Sequence, residues 1–126
     1  MKFEHSFDQT AEDTYYFALT YPFSYSECQQ LIDTYEKTYT NHPSIYFCRE
    51  LLSQSLEGRR IDLLTITDRS GLLPEQEALI PGLFPGAVER AQRFSKPTVF
   101  VSARVHPGET QGSHMMNGLL SFLLNE

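Results

Sequence analysis

Hydrophobic and polar positions change period several times along the chain, and each change marks an element. Phe3, His5 and Phe7 alternate, and a second aromatic-rich run, "TYYFALTYPF", follows the polar "DQTAED". Period-two spacing places alternate residues on one face of a strand, so the two runs are expected to form a β-hairpin or two strands of a sheet. From Tyr25 the spacing becomes helical: Tyr25, Cys28, Leu31, Ile32, Tyr35 and Tyr39 share one face. Ser24 and Glu27 form an S-x-x-E capping box, with Phe23 placed to staple onto Cys28, and His42-Pro43 closes the segment. Two β-leaning runs then flank the turn candidate Glu57-Gly58. In the second of them Ile61, Leu63 and Thr65 face one way while Leu64 and Ile66 face the other. Apolar residues on both faces predict a strand covered on both sides, next to a strand over 98–103 in a mixed sheet.

Residues 68–97 carry four of the seven prolines and read as a long surface excursion with at most short helical pieces. "PTVFVSAR" then returns as a strand, "HPGETQG" turns, and "SHMMNGLLSFLL" continues as an apolar helix despite Gly118. The expected fold is α/β, with helices over 24–39 and 112–124 packed on the sheet.

Composition narrows the function classes. The 126 residues are 40% hydrophobic, and no apolar run approaches the length a membrane span needs. The opening "MKFEHSFDQTAED" has no apolar signal-peptide core, and two cysteines, Cys28 and Cys48, make no disulfide framework, so a reducing, cytoplasmic setting is expected. A net charge of −6 without a basic stripe argues against nucleic-acid binding.

The chemistry concentrates at "HPGE", residues 106–109. His106 follows directly on an apolar strand, and Pro107-Gly108 forces a tight reversal that can aim an imidazole and the Glu109 carboxylate at one point. Zinc accepts both ligand types, and a catalytic zinc commonly takes three protein ligands and keeps one position open. A carboxylate near a helix start is also favourable without any metal, so a helix-capping Glu109 beside a surface His106 is the alternative on physical grounds. His114, eight residues after His106, is expected to be an exposed helical histidine, and His5 a partly exposed strand residue. Arg104 could face the pocket or point elsewhere.

The string "SARVHPGET", with the strand before it and the helix after it, resembles the zinc-binding segment of cytosolic carboxypeptidases in the M14 metallocarboxypeptidase family. "DTYYFALTYPFSYSECQQLI" resembles the junction between that family's small β-sandwich domain and its catalytic domain, and "FCRELLSQSLEGRRIDLLTITDRSG" its first catalytic β-hairpin. Gln111 departs from the family's usual proline, outside the ligands. The resemblance implies that residues 1–22 end a β-sandwich domain and residues 23–126 begin a truncated catalytic domain. It implies His106 and Glu109 as the first two ligands of a single Zn2+. It also implies removal of glutamates from polyglutamylated or C-terminal-glutamate proteins such as tubulin, in the cytoplasm. The family's third ligand, its carboxylate-clamping arginine and its acid/base glutamate lie downstream of Glu126, so no catalytic residue is expected within this chain. The alternative is a catalytically inactive remnant or interaction module that keeps the opening elements of the fold.

Overall fold

The computed structural model describes residues 2–7, 12 and 14–124. Helix α1 spans Tyr25–Tyr39, and the reason it starts there is visible at its first turn. The Ser24 side chain accepts from the Glu27 backbone N–H at 3.1 Å, while the Glu27 carboxylate accepts from the Ser24 N–H at 2.6 Å. That reciprocal pair satisfies two amides which an uncapped helix would leave without partners. The hydrogen bonds from Ser24 also hold the Glu27 carboxyl below its ordinary pKa.

Strands β1 (Ile45–Gln54) and β2 (Arg60–Asp68) form an antiparallel hairpin around Gly58, whose φ of 72° is one that glycine adopts without steric cost. Between Leu51 and Ser53 the register shifts, leaving Leu52 as the extra residue of a bulge. The Leu52 carbonyl instead accepts from Phe84 N–H at 2.9 Å, so the bulge is where the following excursion docks.

That excursion is more ordered than its prolines and glycines predict. Residues 68–97 contain a second antiparallel pair, β3 (Leu72–Gln76) with β4 (Gln92–Phe94), and no helix. Its fastening is polar. Glu50 on β1 accepts from Arg90 Nε at 2.5 Å and from Ala91 N–H at 3.1 Å, and the Arg90 guanidinium lies over the Phe84 ring. Phe84 and Ala91 are buried beside them. A hydrophobicity pattern cannot show a segment held by one buried ion pair and a few long-range backbone bonds.

Helix α2 spans Thr110–Leu124 and is tied to α1 at its far end, where Tyr39 donates from its hydroxyl to the Leu124 carbonyl at 2.6 Å. The core among the described residues is small: Ile32 from α1, Phe47 from β1, Phe84 and Ala91 from the excursion, Leu120 and Leu124 from α2. A buried polar hub supplements it. Arg49 on β1 donates to Asp62 on β2 at 3.0 Å, and to Asp33, Glu36 and Gln29 on α1 at 2.6, 3.0 and 2.7 Å. One side chain thus joins both strands of the hairpin to the helix packed on it.

The fold is α/β, but four expectations need correction. The 98–103 run forms no strand ladder among the described residues, and Val99 and Phe100 are 84% and 76% exposed. Contiguous β-prone residues favour a strand only when a neighbouring edge offers hydrogen bonds, and neither β1 nor β2 pairs with this run. For the same reason the sheets are separate antiparallel pairs and not one mixed sheet. Strand β2 is only half-buried, with Ile61 exposed, instead of covered on both faces. At the N-terminus, residues 2–7 and 14–18 carry no assigned strand, and most of the residues between them lie outside the described ones. The two runs still meet through their rings, Phe3 against Phe17 at 5.2 Å and Phe7 against Tyr15 at 5.1 Å. His5 sits exposed within that cluster.

Candidate metal centre

The loop between the 98–103 run and α2 is built by short-range backbone bonds. Glu109 N–H donates to the His106 carbonyl at 3.1 Å, Thr110 N–H to Gly108 at 3.2 Å, and Gly112 N–H to Glu109 at 3.1 Å. The reversal at Pro107-Gly108 turns the chain back on itself, and Thr110 starts the helix at once. Glu109 therefore stands immediately before the positive end of the α2 dipole, where a carboxylate is favoured.

This geometry brings His106 and Glu109 into direct contact. The ring Nδ1 and the carboxylate Oε2 are 2.9 Å apart, with side chains 73% and 57% exposed, so dissolved ions have open access to both. An ionised carboxylate only accepts, so Nδ1–H donates, and one proton occupies the space between two ligand atoms. A metal can take that proton's place. Two ligands of a tetrahedral zinc, each at about 2.1 Å, stand about 3.4 Å from one another, so the pair needs to open by only about half an ångström. These two donors are of types that zinc accepts and stand near the spacing that two of its ligands take.

Among the described residues no group of three or more His, Cys, Asp or Glu side chains comes together, so His106 and Glu109 form a pair without a third such neighbour. His114 is an exposed histidine on α2, as expected, with its ring edge-on to Phe23 at 5.2 Å and apart from the His106–Glu109 contact. Cys28 and Cys48 are half-buried free thiols, and burial pushes both above the ordinary thiol pKa, away from the thiolate a metal would need. Arg104 points into the loop and not toward open solvent. It donates from Nε to the Pro107 carbonyl at 2.8 Å, and from one terminal nitrogen to the Phe23 carbonyl at 3.1 Å and Ser113 Oγ at 2.9 Å. Its backbone φ of 63° is left-handed, and nothing in an arginine signals that conformation from sequence.

Comparison with known proteins meets the geometry at this loop. The sequence profile described as zinc carboxypeptidase matches residues 18–126, which include the His106–Glu109 pair and the two helices and four strands of the described residues. The chain belongs to the zinc carboxypeptidase family. It is 44% identical over 134 aligned residues to "Cytosolic carboxypeptidase-like protein 5" of Homo sapiens, covering 98% of this chain and 15% of that protein. The Danio rerio protein of the same description is 42% identical, over 100% of this chain and 16% of its own length. "Cytosolic carboxypeptidase 6" of Homo sapiens is 35% identical over 100% of this chain and 20% of its own length. The chain thus spans between 15% and 20% of the length of these curated relatives. Among the described residues no helix is long and apolar enough to cross a membrane.

Proposed function

We propose that this chain carries the first two zinc ligands, His106 and Glu109, of a cytoplasmic metallocarboxypeptidase that removes glutamates from polyglutamylated or C-terminal-glutamate proteins, tubulin among them. The observation that supports the metal role most directly is the 2.9 Å approach of Nδ1 to Oε2 on an exposed loop. The family match supports the reaction class, and the relatives described as cytosolic carboxypeptidases support the setting. In the same reading residues 1–22 close a preceding β-sandwich domain and residues 23–126 open the catalytic one.

The chemistry such a zinc supplies is polarisation of a peptide carbonyl and activation of water near neutral pH. The chain's own residues do the remaining local work. His106 would offer Nδ1 with its proton carried on Nε2 instead, Glu109 would contribute charge, and the loop bonds at Glu109, Thr110 and Gly112 hold both in register. Two ligands on an exposed loop hold zinc weakly, because affinity follows ligand count and the groups that orient the ligands. Peptide hydrolysis further needs a base for water and a cation for the substrate carboxylate.

The test is calorimetric zinc titration beside a glutamate-release assay on a polyglutamylated peptide. Both are run on the 126-residue chain and on a version extended through the remainder of the family's catalytic domain. The short chain is expected to bind zinc weakly and release no glutamate, and the extended one to do both and to lose activity on His106→Ala or Glu109→Ala. Chelator-sensitive turnover by the short chain, or full activity of the extended chain without His106, would overturn this assignment.

A further inference from the structure

We infer that Arg104 is the positioning residue of the His106–Glu109 pair, holding the loop in the one shape that lets the imidazole and the carboxylate meet. This rests on the metal assignment above and adds to it the group that prepares the site. Three observations carry it. The first is where the guanidinium reaches. Nε binds the carbonyl of Pro107, one residue beyond His106, and a terminal nitrogen binds Ser113 Oγ, four residues beyond Glu109. Both candidate ligands are therefore bracketed by contacts from a single planar group whose donors keep a fixed relative geometry.

The second observation is the third contact, Phe23 O at 3.1 Å, which lies immediately before the α1 cap. It ties the loop to a part of the chain 81 residues away, so the loop is anchored to the fold and not only to itself. The third is the backbone. Arg104 adopts φ 63°, a region that glycine enters freely and asparagine tolerates, but in which the Cβ of other residues crowds the following carbonyl. Backbone preference alone favours glycine at this position. What arginine adds is the side chain that spans Pro107, Ser113 and Phe23.

Arg104 touches neither reacting groups nor the metal ligands' donor atoms, so its effect is on loop order and therefore on affinity. The test uses the full 126-residue chain and two readouts. The first is cobalt(II) binding, followed by its visible absorption as a spectroscopic stand-in for zinc. The second is hydrogen exchange by mass spectrometry on the metal-free chain, read on the peptide covering 105–113 against peptides from α1 and the β1–β2 hairpin. Arg104→Asn keeps a residue that tolerates the left-handed backbone but cannot span the three acceptors. It is expected to weaken cobalt binding by about tenfold or more, as loss of a ligand-orienting group does. It should also speed exchange in 105–113 while the hairpin and α1 stay protected.

Arg104→Lys, which keeps the charge and the reach but not the fork, should recover part of both effects. Ser113→Ala removes one of the three anchors without touching the left-handed residue and should move both readouts the same way by less. It decides the matter if Arg104→Asn does not fold. Wild-type cobalt affinity with unchanged exchange in Arg104→Asn, or in Ser113→Ala should the former not fold, overturns the inference. A wild-type chain that binds no cobalt overturns the metal assignment instead, and the exchange readout then decides Arg104 by itself.

Discussion

Replacing Arg49 by alanine should be among the most destabilising single changes in this chain outside the apolar core. The Arg49 side chain is 7% exposed and Asp62, its partner on β2, is 3% exposed. Removing one member of a buried pair costs about 3–5 kcal/mol, because the other is left as a charge without its partner. Two features argue for the lower end. Asp33 and Glu36, at 51% and 43% exposure, can turn to water once Arg49 is gone. Asp62 also keeps hydrogen bonds from Arg60 at 2.8 Å and from Gln29 at 2.8 Å. The expected loss is therefore about 3 kcal/mol, measured by urea unfolding followed through far-ultraviolet circular dichroism.

The double variant Arg49→Ala, Asp62→Ala should lose less than the sum of the two single changes, since each removes part of the same interaction. The pH dependence has a defined sign. Burial by itself would raise the Asp62 carboxyl, but hydrogen bonds from Arg49, Gln29 and Arg60 outweigh it and hold its pKa below the ordinary value. A depressed folded-state pKa contributes stability that is full above the unfolded pKa, about 4 for aspartate, and is lost as the pH falls below it. Wild type should thus lose stability in acid more steeply than Asp62→Ala. An Arg49→Ala chain within about 0.5 kcal/mol of wild type at neutral pH would refute this account of the hub.

Two further outcomes follow from the surface and from the first cap. Val99, Phe100, Met115 and Phe122 are each at least 75% exposed, so the chain should associate and bind a hydrophobic dye, and Phe100→Lys with Phe122→Lys should reduce both in light scattering and dye fluorescence; a dye-silent monomer would contradict it. Ser24→Ala removes the side-chain acceptor of the α1 capping box and should cost about 1 kcal/mol in the same unfolding assay, with Ser24→Asp retaining most of the stability.

What the amino-acid sequence determined here are the features decided within a few residues. Ser24 and Glu27 start α1 because each satisfies the other's backbone. Glu57-Gly58 turns the β1–β2 hairpin, and α2 begins where the apolar helical pattern resumes after "HPGE". The tight reversal at Pro107-Gly108 belongs with these, since it sets His106 and Glu109 near one another within four residues. Tertiary structure decided whatever needs a distant partner. The 98–103 run has the composition of a strand, but a strand exists only where another edge offers its amides and carbonyls, and composition does not name that edge. The β3–β4 pair in the excursion had no local signature, because it depends on Glu50, 40 residues before Arg90 in the chain. Arg49 reads in sequence as an ordinary charged residue, and Arg104 as one that could face the pocket or point elsewhere. Folding makes one the buried junction of a helix and two strands, and makes the other the anchor of the candidate metal loop. A guanidinium's role is set by which acceptors surround it, and those acceptors come from segments that only the folded chain brings together.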